Sequence, residues 1–207
     1  MPTIEYFYSA HSAFAYLGSS LLARIADATG ADIIHKPMDL RVALTGSGES
    51  GFAGRTQKHM KYYFKREIDR WAEYRNAPVL GYRPTHHDNS NDMCNGMLLA
   101  GLQQGLDIGN LAHALLEGHW RYDANLDDRD TLVGLANGVG VDPEPLLAAA
   151  LSDEVQTIYK ANTQEAIDRS VFGSPTYFVD GDMFYGQDHL EMIERALKQP
   201  FKGDWPI

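Results

Sequence analysis

Two short stretches of this chain hold residues suited to binding or activating a small molecule, and the first contains Ser12. This serine follows a strand-like segment and precedes residues of helical spacing, so it is the expected N-cap of that helix. The first amides of a helix have no partner within it, and the helix dipole adds positive charge there. Ser12 therefore has the setting of an anion-stabilising hydroxyl, and the alternative is a serine that only caps its helix.

The second stretch surrounds Ser174-Pro175. Asp180-Gly181 separates two runs rich in aromatic and β-branched residues, which predicts a hairpin because both turn positions need positive φ. A proline at the entry to a strand cannot donate to the ladder. If the Ser174-Pro175 bond is cis, the Ser174 amide and carbonyl are left unpaired and available to an extended, peptide-like ligand. The alternative is an ordinary turn proline.

Arg55 and His87 are the candidates for contact with a substrate. The formal net charge is −10, so an anionic ligand needs a local cation. Arginine can bind a carboxylate through two hydrogen bonds. His87, in the run His86-His87-Asp88, is suited to giving or taking a proton. The alternatives are a solvated charge at a helix end and an incidental loop histidine. No metal is expected, because adjacent histidines rarely point at one ion and no H-E-x-x-H motif is present.

The composition limits the function classes. A chain of 207 residues that is 44% hydrophobic predicts one ordered domain, or one with a large insertion. The negative charge argues against binding to nucleic acids or anionic membranes. No apolar run approaches the roughly 18 residues of a membrane span, and no basic, apolar leader is visible, so we expect a cytoplasmic protein. The single cysteine, Cys94, excludes an internal disulfide and a dithiol centre and is expected in the core.

The predicted elements begin and end with strands. Residues 3–8 and 31–37 predict strands around a helix at 13–29 that ends at Gly30, a β-α-β unit with parallel strands. Residues 40–54, rich in glycine and serine, predict a flexible loop. Helical spacing follows in the windows 55–74, 89–104, 108–122, 128–139, 143–151 and 152–169. After the hairpin, Asp188 with Glu191 three residues later predicts a capping box at the start of a last helix.

This order predicts a thioredoxin-like α/β fold. Strands and helices at the two ends of the chain have the β-α-β and β-β-α arrangement of that fold, with a proline before the third strand. The helical middle is too long for a loop inside a compact domain. We therefore predict a discontinuous thioredoxin-like domain, residues 1–40 and 171–207, and an inserted helical subdomain, residues 41–170.

Three separated motifs resemble one family. The opening of the first helix, Ser12-Ala13-Phe14-Ala15-Tyr16-Leu17, resembles the Ser-Pro-Phe/Tyr-x-Tyr-Leu signature of 2-hydroxychromene-2-carboxylate isomerases and kappa-class glutathione transferases. The family's Phe-Gly-x-Pro-Thr and Trp/Tyr-Gly-x-Asp motifs are similar to Phe172-Gly173-Ser174-Pro175-Thr176 and to Phe184-Tyr185-Gly186-Gln187-Asp188. Lys65 and Arg70-Trp71-Ala72 also fit, so the resemblance covers almost the whole chain.

The chain departs from the family pattern at two positions. Ala13 replaces the usual proline, a mild change because proline at the first helical position only preorganises the turn. Leu44 stands where some isomerases carry a lysine that faces the substrate carboxylate. The resemblance therefore identifies the family more firmly than it identifies the substrate.

The resemblance implies a DsbA-like thioredoxin fold with a helical insertion, a homodimer, and glutathione as the bound thiol. Ser12 stands where the redox relatives keep a cysteine, and its implied role is to stabilise the glutathione thiolate without acting as a covalent nucleophile. Ser174, before Pro175, would offer backbone groups to the cysteinyl part of glutathione. The implied wall for its γ-glutamyl end consists of Tyr185, Gly186, Gln187 and Asp188.

The implied reaction is the interconversion of 2-hydroxychromene-2-carboxylate and trans-o-hydroxybenzylidenepyruvate during breakdown of naphthalene-like aromatics. The substrate would be a small anionic aromatic, with Arg55 at its carboxylate and His87 near its phenolic oxygen. Two alternatives stay open: a kappa-like glutathione transferase or peroxidase acting on another electrophile, and a DsbA-like thiol oxidoreductase or binding module. The single cysteine counts against the oxidoreductase, because disulfide exchange needs two thiols.

Overall fold

The computed structural model describes residues 1–48 and 55–203. Their strands form one mixed sheet in the order β2-β1-β3-β4, from β1 (Thr3–Tyr8), β2 (Asp32–Pro37), β3 (Thr176–Val179) and β4 (Asp182–Tyr185). β1 runs parallel to β2 and antiparallel to β3, and β4 pairs antiparallel with β3. The turn residues Asp180 and Gly181 have φ of 50° and 85°. The predicted β-α-β unit and hairpin are confirmed, and so is the thioredoxin-like fold.

Except for one helix at residues 40–46, the helices occupy the windows that the spacing predicted, with ends that shift by a few residues. They are α1 (Ala13–Thr29), α2 (Leu40–Gly46), α3 (Gln57–Lys61), α4 (Ile68–Arg75), α5 (Asp92–Gln103), α6 (Gly109–Tyr122), α7 (Arg129–Gly138), α8 (Pro143–Ala150), α9 (Asp153–Asp168) and α10 (Leu190–Lys198). A wider π-helical turn, Tyr62–Glu67, joins α3 to α4, so the long helix predicted at 55–74 is continuous but not uniform. Every helix in the described ranges is too short or too polar to span a bilayer.

Successive residues of β1 point to opposite faces of the sheet, and a hydrophobic cluster covers each face. Tyr6 stacks on Tyr8 and Tyr177 at centroid distances of 4.1 and 5.2 Å, and these rings belong to the core that α1 and α10 help to form. Phe7 enters a smaller cluster with residues of α2 and α9. The sheet thus becomes a central layer that holds the ends of β1 and β3 in place.

The strands of the described ranges all lie within residues 1–40 and 171–207, and helices α3 to α9 lie between these two segments. One hydrophobic cluster nevertheless runs from Tyr6 and Leu17 into α5 and α6 through Leu98 and Leu111. The division into a thioredoxin-like domain and an inserted subdomain stays a prediction, because the two share this core.

The predicted loop at 40–54 is wrong for its first half. Residues 40–46 form α2, whose N-cap Asp39 accepts hydrogen bonds from the amides of Arg41 and Val42 at 2.9 and 3.1 Å. Ala43 is buried in the cluster with α9, so a cap and a packed face stabilise the helix where the serine and glycine content argued against one. Gly51 and Gly54 lie outside the described residues.

The capping box predicted at Asp188 and Glu191 is also wrong. Gly186, at φ 95°, leads into a 3₁₀ turn, Gln187–His189, and α10 follows with no side-chain cap. Glu191 instead forms an ion pair with Arg75 at 2.6 Å. The Glu191 carboxylate therefore binds Arg75 of α4 and does not cap α10.

Candidate functional site

A cavity of about 740 Å³ opens where α1, α2 and the π-helical turn meet the end of β4. Its volume is within the range of small-molecule sites. The lining includes Ser12, Leu44, Arg55, His87, Ser174 and Tyr185. The structure therefore brings together most of the residues that the sequence singled out, from five separate parts of the chain.

Ser12 caps α1 as predicted. Its Oγ accepts a hydrogen bond from the Ala15 amide at 3.3 Å and donates one to the Ser174 carbonyl at 3.0 Å. The side chain is buried, at 6% exposure, yet it reaches the cavity. A single hydroxyl proton is thus held at the positive end of a helix, beside the loop that precedes β3.

Ser174 lies at the cavity and Pro175 lies behind it. The Ser174-Pro175 bond is cis. The expectation that both backbone groups of Ser174 are unpaired is wrong for the carbonyl, because it accepts from Ser12. Among the described residues the Ser174 amide has no acceptor, while the Pro175 carbonyl accepts from the Gly186 amide at 2.9 Å. One unpaired backbone donor therefore remains at a residue that lines the cavity.

Tyr185 forms a wall of the cavity with Tyr63 of the π-helical turn. Their hydroxyl oxygens are 3.2 Å apart, and the guanidinium of Arg55 lies over the Tyr63 ring at 5.2 Å. Burial raises the pKa of the Tyr185 phenol, so its hydroxyl stays protonated and able to donate. Arg55, which the sequence predicted to contact a substrate, therefore lies against an aromatic wall of the cavity.

Gly186, Gln187 and Asp188 are not among the cavity-lining residues. Gln187 is buried at 1% exposure, and its side-chain carbonyl accepts from Arg75 Nε at 2.9 Å. The Asp188 side chain is 52% exposed and lies 3.6 Å from His189 Nδ1. The structure does not bring these three residues to the same surface as Ser12.

The described lining of the cavity holds more cationic than anionic side chains, in contrast to the whole protein, although Lys65 forms an ion pair with Asp69. Among its described lining residues only Asp88 carries a carboxylate, against five cationic side chains, Arg41, Arg55, Lys61, Lys65 and Arg83. Asp88 is itself paired with Arg83, with Nη1 2.8 Å from Oδ2, and this guanidinium lowers the pKa of Asp88 to about 2. Sequence reasoning proposed only Arg55 as the cation, and it missed Arg41 because this residue belongs to the helix that was interpreted as a loop.

A cluster of three histidines reaches another part of the lining through His11 and His87. His87 Nδ1 lies 2.9 Å from His119 Nε2, and His119 Nδ1 lies 3.0 Å from the Ala124 carbonyl. The rings of His11 and His87 are 4.9 Å apart. Burial lowers the pKa of His87 to about 3 and lowers those of His11 and His119. The cluster is therefore neutral near pH 7, and sequence reasoning missed His11 and His119 because they lie far from His87 in the chain.

Cys94 is a core residue, as predicted. Its side chain is completely buried in α5, and burial raises the pKa of its thiol to about 12. A thiol held in this form is a poor nucleophile. Within residues 1–48 and 55–203, no group of three or more histidine, cysteine or carboxylate side chains is arranged to hold a metal ion.

The chain matches the family model described as a DSBA-like thioredoxin domain over residues 3–198. It is 28% identical over 195 residues to the 2-hydroxychromene-2-carboxylate isomerase of Sphingobium xenophagum, covering 94% of this chain and 97% of that protein. It is 23% identical over 211 residues to glutathione S-transferase kappa 2 of Caenorhabditis elegans, covering 97% and 93%. A solved structure of a 2-hydroxychromene-2-carboxylate isomerase superposes with a TM-score of 0.78 at 23% identity, covering 95% of each chain. The resemblance found in the sequence is thereby confirmed.

Proposed function

The chain belongs to the DSBA-like thioredoxin family, and on that premise we propose that it is a glutathione-dependent isomerase. Its substrate pair would be 2-hydroxychromene-2-carboxylate and trans-o-hydroxybenzylidenepyruvate, and we propose that the active protein is a homodimer. The observation that carries the proposal is the position of Ser12, whose hydroxyl reaches from the start of α1 into a cation-lined cavity. The similarity to a named isomerase and to a kappa glutathione transferase supports the same reading.

Ser12 would stabilise the thiolate of bound glutathione. Its one proton is donated to the Ser174 carbonyl at 3.0 Å, and rotation about the Cβ–Oγ bond would direct it to a sulfur atom in the cavity instead. The unpaired amides at the start of α1 add to this stabilisation, as helix N-termini do for cysteine thiolates. Ser12 therefore acts as a hydrogen-bond donor, and no base is needed to activate it.

The residues fit glutathione at the cysteinyl part of the molecule. The Ser174 amide, which has no acceptor among the described residues, would pair with the cysteinyl carbonyl as an added strand does. The γ-glutamyl end would extend past Tyr185 and Gly186, with its ammonium group near the exposed carboxylate of Asp188. Gln187 would act through the contact with Arg75 that orders this turn. When bound, glutathione supplies a thiolate that adds reversibly to an electrophilic carbon.

The remaining lining residues would bind and orient the substrate. Arg55, with Arg41 and Lys61 also in the cavity lining, would hold the carboxylate in place of the lysine that Leu44 replaces. The aromatic ring would pack against Phe14 and Phe64. His87 would lie near the phenolic oxygen. If different residues hold the aromatic ring and the carboxylate, the carbon–carbon bond that changes between cis and trans is free to rotate once it has become a single bond.

A kappa-like glutathione transferase acting on another electrophile is the second candidate. It needs the same Ser12 and Ser174 groups, and the leucine at position 44 together with the kappa relative favours it. A disulfide oxidoreductase lacks support, because Ser12 stands at the helix N-terminus and the Cys94 thiol is buried with a raised pKa.

The test is calorimetric titration of glutathione into the wild type and Ser12→Ala, followed by addition of 2-hydroxychromene-2-carboxylate with ultraviolet monitoring. Ser20→Ala, at an exposed position on α1, is the matched control. We expect glutathione-dependent spectral conversion in the wild type and the control, and its loss in Ser12→Ala. Binding without conversion would move the protein to the transferase class. No binding in the wild type would reject both candidates and leave Ser12 as a helix cap.

A further inference from the structure

We propose that His119 positions His87 as a hydrogen-bond acceptor, and that His87 Nε2 takes the proton of a hydroxyl group on the substrate. The inference deepens the proposed isomerase function and rests on it for the identity of the substrate. The hydrogen bonds of the two histidines carry the argument, because they leave only one arrangement of protons when both rings are neutral.

The arrangement starts at the Ala124 carbonyl, which can only accept a hydrogen bond. His119 Nδ1, 3.0 Å away, must therefore carry a proton. A neutral His119 then has a lone pair on Nε2, and this atom lies 2.9 Å from His87 Nδ1. His87 Nδ1 must donate, so its own proton is on Nδ1 and its Nε2 is left as the acceptor.

Both rings are neutral near pH 7 because the groups around them disfavour a positive charge. Burial is the largest cause of the lowered pKa of His87, followed by the proximity of His119 and Arg83. Arg41 acts in the same direction, and its guanidinium also donates to the His87 carbonyl at 3.0 Å. Asp88 opposes these effects, but its carboxylate is paired with Arg83. The acceptor arrangement is therefore maintained across the physiological range.

The acceptor nitrogen of His87 is accessible. His87 lines the cavity, and Nε2 is neither hydrogen-bonded nor sealed off within the described part of the chain. The ring is held in place by three aromatic neighbours, His119 stacked at 5.2 Å, Trp120 edge-on at 5.4 Å and His11 at 4.9 Å. Its orientation is thus decided by packing as well as by the hydrogen bond to His119.

The acceptor suits the ring-closing direction of the proposed reaction. Once the carbon–carbon double bond has the cis geometry that brings the two groups together, His87 Nε2 takes the phenolic proton while the phenolic oxygen forms a bond to the ketone carbon and the carbonyl π bond breaks. The former ketone oxygen then receives that proton from His87 and becomes the hydroxyl group of the hydroxychromene. The proton is returned, so neither an oxidant nor a further base is required. Ring opening is the same sequence in reverse.

The first test reads the protons directly and needs no turnover. Long-range proton–nitrogen correlation spectra of ¹⁵N-histidine-labelled protein should show His87 with a protonated Nδ1 and an unprotonated Nε2. In His119→Leu, His87 should populate both neutral tautomers or favour the one protonated on Nε2. His119→Gln should preserve it, because an amide can donate to Ala124 and accept from His87. A wild-type His87 protonated on Nε2 would overturn the proposal.

The second test uses ligand binding and kinetics. trans-2-Hydroxycinnamate should bind more tightly than its methoxy analogue, by about tenfold, and His119→Leu should lose this preference. If the protein turns over the hydroxychromene, His119→Leu should lower kcat at least tenfold with KM little changed, and His119→Gln should restore most of it. The control is His113→Leu, which removes another α6 histidine that contacts Ser19 instead.

The outcomes separate this proposal from the proposed function. A correct tautomer and hydroxyl preference without turnover would reject the isomerase and keep the acceptor role. Turnover with equal binding of the two analogues, or with unchanged kcat in His119→Leu, would reject the acceptor role and keep the isomerase.

Discussion

The hydroxyl of Ser12 donates a hydrogen bond to the carbonyl of Ser174 at 3.0 Å, across 162 positions of the chain. This contact joins the start of α1 to the loop before β3, and both residues line the cavity. The hydroxyl proton that Ser12 donates to the Ser174 carbonyl is the same proton that would stabilise a thiolate. Binding of a thiolate would therefore exchange one acceptor of Ser12 for another.

Replacement of Ser12 by cysteine tests the electrostatics of this position without glutathione. We expect the introduced thiol in Ser12→Cys to have a pKa below the ordinary value of about 8.5, because it lies at a helix N-terminus. The measurement is the rate of alkylation against pH. Cys94 is the internal reference and should stay unmodified in the folded protein, since burial raises the pKa of its thiol to about 12. An ordinary pKa at the introduced thiol would contradict the proposed stabilisation.

The charge of the cavity makes a separate prediction at Arg55. Arg55→Ala should raise KM for the anionic substrate by about tenfold, a loss of roughly 1.4 kcal/mol, because a charge-assisted hydrogen bond to the carboxylate is removed. The effect should shrink as salt is added. Lys58→Ala removes a nearby exposed charge of α3 that does not line the cavity, and it should leave KM unchanged. An equal rise in both variants would indicate long-range attraction only.

Close packing between α5 and α8 predicts a stability effect at Gly96. A Cβ there would overlap the Ala150 carbonyl oxygen, a backbone atom that cannot move away alone. Gly96→Ala should therefore destabilise the protein by about 1–3 kcal/mol in denaturant titrations. Gly134→Ala, in an exposed helical position with open space around it, should instead be neutral or stabilise by up to about 1 kcal/mol. A neutral Gly96→Ala would show that the two helices can separate at low cost.

Buried histidines predict how stability depends on pH. Burial lowers the pKa of His35 to about 4, and it also lowers those of His11, His87 and His119. The unfolded chain binds more protons than the folded one below about pH 6.5, so the free energy of unfolding should fall as the pH decreases from there towards 4. The measurement is the denaturant midpoint at a series of pH values.

His35→Gln isolates one part of this pH dependence. The His35 ring is largely buried, with its Nδ1 3.0 Å from the Tyr8 hydroxyl, and burial disfavours the charged form of the ring in the folded protein. The variant should be less stable at neutral pH, and its stability should depend less steeply on pH between 6.5 and 4. His59→Gln, at an exposed position of α3, is the control. An unchanged slope in His35→Gln would mean that this ring can be protonated in the folded state.

Local patterns were enough to predict most of the elements and one contact of the candidate site. The strands, the positive φ of Asp180 and Gly181, the end of α1 at Gly30 and the capping role of Ser12 each depend on residues within a few positions of one another. Periodicity, turn residues and caps act over that range, so the sequence by itself determined them. The ordering of these elements then predicted the thioredoxin-like fold.

Tertiary packing decided the rest of the site. The Ser12–Ser174, Arg75–Gln187 and His87–His119 contacts join residues 162, 112 and 32 positions apart. Packing of Ala43 against the α9 cluster also made a helix of residues that local composition assigned to a loop. Which distant side chains meet depends on how helices and sheet bury their apolar faces together, and no local pattern contains that information. The sequence therefore determined the serine at the helix start, and the fold decided its partner and the cations and histidines around it.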